Sequence, residues 1–255
     1  MDMRKETDRT VIITGGGRGI GEFITRAFRE AGDHVLVGSR TDTGLVAQLG
    51  ERAQFCRIDV RFEKDHRILV QKAIDWTGRL DVFINCAGFS KWRPINEIDL
   101  DFWNSMIDTN LKGTFLGCKV AAENLSGGGS IINVSSLAGK RGSANNSIYC
   151  ASKFGVNGIT QALAKELGPR GIRVNAVCPV YIETEGLLEA LKDEKSPAKG
   201  EDVAMYLKDF AKNNAALHRL PEAEEVANLC VFLASPEASA ITGQCINVDC
   251  GVLPQ

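Results

Sequence analysis

The sequence predicts an α/β fold in which helices cover both faces of a parallel β-sheet. Short apolar runs rich in β-branched residues alternate with longer segments of helical periodicity. Alternation at these lengths is typical of parallel strands joined by helical crossovers. The chain has 255 residues without an internal repeat or an evident linker, so we expect residues 1–255 to form a single domain.

The expected strands are apolar runs of suitable length that are edged by Gly, Asp, Asn or Ser. Seven segments have this character: 10–14, 34–38, 54–58, 80–85, 130–135, 173–178 and 244–248. Helices are expected between these strands, because apolar residues there recur with the spacing of one helix face. The expected helices are 19–31, 65–78, 101–124, 147–168 and 222–234.

One segment, 185–216, interrupts the alternation and contains the charged run KDEKSPAKGED. It is too long for a simple connection, and insertions of this length in compact folds are usually lids or binding loops. We interpret it as a lid-like insertion, with a solvated surface excursion as the alternative.

Composition excludes several classes of partner. Thirty basic and 32 acidic residues give a net charge of −2, which argues against binding to nucleic acid or to anionic membranes. No apolar run reaches the roughly 18 residues that a spanning helix needs. The three histidines lack ligand-like spacing, so no metal site is expected.

The first residues, MDMRKETDR, lack the apolar region of a secretory signal. The eight cysteines include no CxxC pair, and most lie within apolar stretches. We therefore expect reduced core cysteines and a cytoplasmic location.

A glycine-rich turn follows the first strand and precedes the first helix, with the sequence TGGGRGIG over 14–21. Glycine allows positive φ and close approach of the backbone to a pyrophosphate, and a helix N-terminus offers N–H groups to the phosphates. The spacing is TGxxxGxG rather than GxGxxG, and a plain tight turn is the alternative. The strand before the turn and the helix after it favour dinucleotide binding.

The end of the second strand predicts which dinucleotide binds. NAD-binding folds usually place an Asp or Glu there, but this chain has Ser39 and Arg40 and no acid before Asp42. An arginine pairs well with a 2′-phosphate, and Arg18 offers a second positive charge. We predict NADP as the cofactor, with NAD as the alternative if both arginines only face solvent.

Ser136 follows the fifth expected strand, and Tyr149 and Lys153 share one face of the next helix. A nearby ammonium is expected to lower the pKa of Tyr149 from near 10, which makes it a general acid/base. The Ser136 hydroxyl is placed to hydrogen-bond a substrate carbonyl oxygen. A YxxxK pair alone is common on helices, so this prediction depends on Ser136 and the glycine-rich turn.

These motifs resemble the short-chain dehydrogenase/reductase family, YxxxK branch, over essentially residues 8–252, with 3-oxoacyl-acyl-carrier-protein reductases among the similar members. The matching positions include TGGGRGIG at 14–21, NCAG at 85–88, Asn110, Ser136, Tyr149 and Lys153. The resemblance implies a Rossmann-type, doubly wound sheet of seven strands in the order 3-2-1-4-5-6-7. It also implies interconversion of a small-molecule carbonyl and a secondary alcohol with NADP(H).

The resemblance assigns catalysis to Asn110, Ser136, Tyr149 and Lys153. Asn110 would hold a water that relays protons to Lys153, and Lys153 would also bind the nicotinamide ribose. Asp59 would lie by the adenine, Asn85 by the adenosine ribose, and Ile182 and Thr184 by the carboxamide. The complete set of expected cofactor-binding residues is Gly15, Gly17, Arg18, Gly19, Ile20, Gly21, Ser39, Arg40, Asp59, Val60, Asn85, Ala87, Gly88, Tyr149, Lys153, Pro179, Ile182 and Thr184.

Three positions depart from the family pattern. Cys86 replaces an asparagine, Val180 follows Pro179 where glycine is usual, and Cys250 replaces the first glycine of Asp-Gly-Gly. None of these residues transfers a proton, so we expect altered loops rather than lost activity. Two other functions stay open: an NAD-dependent polyol, sugar or steroid dehydrogenase, and a non-catalytic cofactor sensor. The sensor is disfavoured because such relatives typically lose the tyrosine or the lysine.

The substrate pocket is expected from 89–93, 138–146 and 180–216. Lys140, Arg141, Asn145 and Asn146 indicate a polar or anionic substrate, with a hydrated loop as the alternative.

The helices 101–124 and 147–168 carry more apolar residues than one sheet face needs, and the tail 251–255 is mostly apolar. Together with the resemblance, this predicts a homotetramer, with a dimer as the fallback and a monomer as the alternative. The apolar residues concerned are Phe102, Met106, Leu116, Val120, Phe154, Val156, Ile159, Leu163 and Leu167.

Overall fold

The strands of the fold follow the predicted segments closely. A computed structural model of the chain describes residues 8–125 and 127–254. Most of the residues behind the expectation of no secretory signal lie outside this described part, and so does the final residue of the tail. The strands are β1 (Thr10–Thr14), β2 (His34–Ser39), β3 (Ala53–Arg57), β4 (Val82–Asn85), β5 (Gly129–Val134), β6 (Ile172–Pro179) and β7 (Cys245–Val248). They form one parallel sheet in the order β3-β2-β1-β4-β5-β6-β7, which confirms the predicted order.

The helices differ from the prediction in one informative place. The segment expected as a single helix is divided by a π-helical turn, Asp108–Lys112, into α4 and α5. The described residues contain α1 (Gly19–Glu30), α2 (Leu45–Gln48), α3 (Glu63–Thr77), α4 (Leu100–Ile107), α5 (Gly113–Asn124), α6 (Ser147–Leu167), α7 (Glu185–Leu191), α8 (Val203–Asn214) and α9 (Ala223–Ala234). Within the described residues, no helix is long and apolar enough to cross a membrane.

Two hydrophobic layers flank the sheet because successive strand residues point to opposite faces. In β1, Val11 and Ile13 pack with α1 and α9, whereas Ile12 packs with α3, α5 and α6. Both faces of the sheet are therefore covered by helices, as the strand patterns predict.

The insertion 185–216 is folded and packs against the rest of the chain. Its residues Leu191, Ala198 and Leu207 are buried around Trp92 in a third hydrophobic cluster. This packing is unlike a solvated excursion, and movement of the segment as a lid stays a prediction.

Candidate active site

The carboxyl ends of parallel strands meet at one edge of the sheet, where ligands bind in open α/β folds. Gly15 follows β1 with φ +70°, and its N–H donates to the carbonyl of Gly38 at 2.8 Å. A Cβ on Gly15 would lie 2.8 Å from the Cα of Ala87. Glycine is therefore required for the first loop to approach the loop after β4. The Thr14 hydroxyl joins the same loops by accepting the N–H groups of Cys86 and Ala87, at 3.2 and 3.3 Å.

The glycine-rich turn leads directly into α1. Gly19 begins the helix with φ +53°, and a Cβ on Gly21 would collide with the carbonyl of Gly15. Glu22 donates its N–H to the Arg18 carbonyl at 3.3 Å, whereas the preceding N–H groups of a first helical turn have no partner within the helix. With Arg18 exposed beside it, this helix end suits an anion such as a phosphate.

The end of β2 has the positive character that the sequence predicts. Arg40 is exposed, and the Ser39 hydroxyl donates to the Thr41 carbonyl at 2.7 Å. Asp42, the nearest acid in sequence, instead accepts the N–H of Gly44 at 2.9 Å and closes its own turn.

Asp59 is held by a residue that sequence reasoning missed. The guanidinium of Arg61 donates to both carboxylate oxygens, at 3.0 Å from Nε and 2.6 Å from Nη2. This hydrogen bonding is the main reason that the pKa of Asp59 is lowered. Val60 is buried, and its carbonyl contacts Nε2 of the buried His66 at 2.8 Å. The loop expected beside the adenine is thus fixed by Arg61 and His66.

The side chain of Asn85 lies in the core between sheet and helix. Its Nδ2 donates to Oδ1 of Asn133 at 2.9 Å, and Nδ2 of Asn133 donates to the hydroxyl of Thr160 at 2.9 Å. This chain of buried hydrogen bonds links β4, β5 and α6. The Asn85 amide is therefore committed to the core, and only its main chain is left for the expected ribose contact.

Asn110 lies in the π-helical turn, a local distortion that is frequent at functional sites. Its amide clamps the main chain of Phe89, donating to the carbonyl at 2.8 Å and accepting the N–H at 3.0 Å. A Cβ on Gly88 would lie 3.1 Å from Oδ1 of Asn110 and 3.7 Å from Nζ of Lys153. Gly88 thus lies between these two side chains in a space that a larger residue would fill.

Ser136, Tyr149 and Lys153 are brought together across the ends of β5 and α6. The Ser136 hydroxyl lies close enough to the Tyr149 hydroxyl to favour its phenolate, and Nζ of Lys153 lies 5.7 Å from the Tyr149 ring centre. Nζ also donates to the Val134 carbonyl at 2.8 Å. A Cβ on Gly139 would lie 2.7 Å from the Lys153 carbonyl, so α6 packs closely on the segment after Ser136.

The expectation that Lys153 lowers the pKa of Tyr149 is wrong for this structure. Burial raises the pKa of Tyr149 to about 12, and the nearby Ser136 hydroxyl only partly opposes that effect. Burial also lowers the pKa of Lys153 to about 8. Desolvation dominates because Nζ of Lys153 is directed to the Val134 carbonyl rather than to the phenol oxygen. Tyr149 therefore holds its proton firmly at neutral pH.

The residues after β6 approach the glycine-rich turn from the other side. Pro179 ends β6 beside Val248, and the side chain of Ile182 is buried. The Thr184 hydroxyl caps α7 by accepting the Leu187 N–H at 3.4 Å. The Cγ2 atom of Thr184 would lie 3.6 Å from a Cβ on Gly19, so the start of α7 borders the first turn of α1.

The sequence analysis did not identify two tyrosines that lie in the predicted substrate region. The hydroxyls of Tyr181 and Tyr206 lie 3.3 Å apart, and the Tyr181 ring packs edge-on against Phe210 at 4.9 Å. They connect the end of β6 to α8 of the insertion. The sequence contained a signal for this aromatic cluster, because residues 206 and 210 are four apart and lie on one face of α8.

Among the family departures, Cys250 has a structural consequence. It has φ +53°, a left-handed conformation that favours glycine, whereas Val180 is not among the described residues with positive φ. All eight cysteines are free thiols, five of them buried. Within the described ranges, no three His, Cys, Asp or Glu side chains are grouped as a metal site.

Comparison with known proteins gives a consistent result. A family profile described as enoyl-(acyl carrier protein) reductase matches residues 15–253. A 3-oxoacyl-(acyl-carrier-protein) reductase FabG from Chlamydia muridarum is 34% identical, covering 96% of this chain and 97% of the relative. (+)-Borneol dehydrogenase 2 from Salvia officinalis is 36% identical, covering 95% of this chain and 88% of the relative. The crystal structure of a single-residue variant of actinorhodin polyketide ketoreductase with NADPH superposes with a TM-score of 0.89 and 30% identity, covering 98% of this chain and 99% of that one.

Proposed function

Because the chain belongs to the short-chain dehydrogenase/reductase family, we propose that it reduces a ketone to a secondary alcohol with NADPH, using Ser136, Tyr149 and Lys153. The chain is an oxidoreductase that acts between carbonyl and alcohol. The observation that carries the finer proposal is the proximity of the Ser136 and Tyr149 hydroxyls, with Lys153 beside them at the ligand-binding edge of the sheet.

Each of these side chains has a role in the proposed reaction. The nicotinamide of the cofactor supplies the hydride when it is bound. The Ser136 hydroxyl hydrogen-bonds the substrate oxygen, where negative charge develops. The Tyr149 hydroxyl donates its proton to the same oxygen, and its raised pKa keeps that proton in place until the oxygen becomes basic. The Lys153 ammonium, next to Tyr149, stabilises the phenolate that remains after the transfer. Lys153 then returns a proton to Tyr149.

The residues at the strand ends fit a nicotinamide dinucleotide. The glycine-rich turn and the start of α1 suit the pyrophosphate, and Gly88 keeps open the space between Asn110 and Lys153. Arg18 and Arg40 support NADP over NAD, because they offer guanidinium groups to a 2′-phosphate, and the nearest acid in sequence, Asp42, accepts the N–H of Gly44 in its own turn.

The cofactor proposal is tested by comparing kcat/KM for NADPH and NADH in the wild type and in Arg40→Asp. We expect the wild type to prefer NADPH and the variant to reverse that preference. Lys165→Asp, a charge reversal at an exposed position near the far end of α6, is the control and should leave the ratio unchanged. Equal or better use of NADH by the wild type would refute the proposal.

The proposed substrate is a 3-oxoacyl thioester, supported by relatives that are named 3-oxoacyl-acyl-carrier-protein reductases. The borneol dehydrogenase relative supports a second candidate, the oxidation of a cyclic alcohol. Turnover of an acetoacetyl thioester, a cyclic ketone and a polyol with either cofactor distinguishes the candidates. Cofactor binding without turnover of any compound would favour a non-catalytic sensor.

We also propose a homotetramer, keeping Phe154 from the residues that the sequence indicates and adding Trp103 and Phe115. Met106, Val120, Val156 and Leu167 are buried within the chain, so they do not supply surplus surface. Instead Trp103, Phe115 and Phe154 are 42%, 46% and 48% exposed on α4, α5 and α6. Light scattering of Phe115→Arg with Phe154→Arg should show a smaller assembly, whereas Ile68→Arg, at an exposed position on α3, should not. A monomeric wild type would contradict the proposal.

Free cysteine thiols support a cytoplasmic location.

A further inference from the structure

Three segments that are far apart in the sequence meet at Asn145. The N–H of Arg93, in the loop before α4, donates to the Asn145 carbonyl at 2.6 Å. Nδ2 of Asn145 donates to the carbonyl of Lys195, in the turn between α7 and α8, at 3.0 Å. The ammonium of Lys195 is ion-paired with Glu97, which follows Arg93 in the same loop. One side chain and one ion pair therefore fasten the turn of the insertion to the rim of the site.

The backbone of Asn145 is specialised for this position. Its φ is +58°, in the left-handed region that residues other than glycine rarely adopt and that asparagine tolerates best. Such conformations persist where surrounding contacts hold them, and they cluster at functional sites. Asn145 lies two residues before the start of α6, in which Tyr149 is the third residue. Its conformation thus determines how the chain enters the helix that carries Tyr149.

The turn that Asn145 holds is itself well ordered. Asp193 accepts the N–H of Lys195 at 2.9 Å, and the hydroxyl of Ser196 donates to the Leu191 carbonyl at 2.6 Å. Leu191 and Ala198, at the two sides of the turn, are buried in the cluster around Trp92. The carbonyl of Lys195 is therefore fixed relative to α7 and α8, and a bond to it restrains the whole insertion.

We infer that Asn145 is a positioning residue that fastens the insertion over the substrate and orients the start of α6. This inference rests on the proposed function, since it concerns substrate binding at the same site. The side-chain bond to Lys195 acts on substrate retention, whereas the left-handed backbone acts on the placement of Tyr149. The two effects can be separated, because glycine keeps the backbone conformation and loses only the side chain.

The experiment compares Asn145→Gly and Asn145→Ala with the wild type. We expect Asn145→Gly to raise KM for an acetoacetyl thioester by about tenfold with kcat nearly unchanged, because a hydrogen bond that restrains the insertion is lost. The pH profile of kcat should not move, since Tyr149 stays in place. Asn145→Ala should also lower kcat, because alanine is strained at positive φ. Lys199→Gly is the matched control, as Lys199 also has positive φ in this turn but does not contact Asn145.

Trypsin gives a readout that does not need turnover. Lys192, Lys195 and Lys199 lie in or beside the turn, and cleavage there requires local opening. Cleavage of Asn145→Gly should be several-fold faster than that of the wild type, and Lys199→Gly, which removes one of these cleavage sites, is the control for the kinetic comparison only. Wild-type values of both KM and cleavage rate in Asn145→Gly would overturn the inference, and so would a lower kcat at unchanged KM. If none of the tested substrates supports NADPH oxidation by the wild type, the proposed function fails. The trypsin comparison still tests the role of Asn145 in that case.

Discussion

The glycine-rich turn at 14–21 and the insertion at 185–216 border the same site, but they are built by different kinds of interaction. The backbone of the turn is determined largely by local requirements, because Gly15 and Gly19 adopt positive φ, which favours glycine. The insertion is held chiefly by two residues distant in sequence, Trp92 and Asn145, and by Tyr181 just before it. Local backbone requirements are visible in a sequence, whereas such tertiary contacts are not. The backbone of the glycine-rich turn can therefore be predicted from the sequence, and the contacts that hold the insertion cannot.

The strongest test of this contrast is Gly15→Ala. A Cβ at this position meets the backbone of Ala87 and is strained at φ +70°, so the turn must move away from the loop after β4. We expect the Kd of NADPH, measured by fluorescence titration, to rise by about 100-fold, which corresponds to about 3 kcal/mol. Gly142→Ala, where a Cβ meets no atom within 4 Å, is the control. A Kd within twofold of the wild type in Gly15→Ala would show that the turn is not locally determined.

Lys153 offers a second test, since burial of its ammonium lowers the stability of the fold. Its pKa falls from 10.5 to about 8 on folding, so the folded protein binds fewer protons than the unfolded chain between these pH values. Stability from this group therefore rises with pH from about 8 to 10.5, and the cost of burying the charge is complete below pH 8. At pH 7, Lys153→Met should increase the free energy of unfolding by about 2 kcal/mol, after loss of the hydrogen bond to Val134 is counted.

Urea unfolding at several pH values measures this effect. The advantage of Lys153→Met over the wild type should be largest at pH 7, should decrease as the pH rises from about 8, and should reverse towards pH 10.5, where only the lost hydrogen bond to Val134 counts. Lys165→Met, which changes an exposed lysine on the same helix, should show no such dependence. A constant difference between Lys153→Met and the wild type would mean that the Lys153 ammonium is not desolvated.

The smallest expected effect concerns Cys250, where a local backbone rule is broken. Its φ of +53° costs a non-glycine residue about 1 kcal/mol of folding free energy. Glycine removes this strain, but part of the gain in stability is lost because glycine has a larger entropy in the unfolded chain. Cys250→Gly should therefore raise Tm by about 1–2 °C in a thermal scan. Cys245→Gly, within β7, should lower Tm. A decrease of similar size in both variants would show that packing of Cys250 outweighs its strain.

Most of the fold follows from patterns in the sequence, and the exceptions have physical causes. The strands inside the sheet, β1, β2, β4, β5 and β6, were predictable because both of their faces are buried and their apolar runs are continuous. The π-helical turn at Asp108–Lys112 was not, since its residues continue the helical pattern and include neither Gly nor Pro. Arg61, which holds Asp59, is close in sequence but reads as an ordinary surface charge. The pKa of Tyr149 depends on how deeply the folded chain buries it, which residue spacing does not specify.

The central claim, that this chain moves a hydride from NADPH and a proton from Tyr149 to one carbonyl group, is tested most directly with NADPH that carries deuterium at both C4 positions. The wild type is incubated with an acetoacetyl thioester, and the alcohol product is analysed by mass spectrometry. The account predicts one deuterium on the carbinol carbon in the wild type. It also predicts that Tyr149→Phe, which lacks the transferable proton, is slower by several orders of magnitude with nearly unchanged NADPH affinity. Product without deuterium, or near-normal turnover by Tyr149→Phe, would contradict the account.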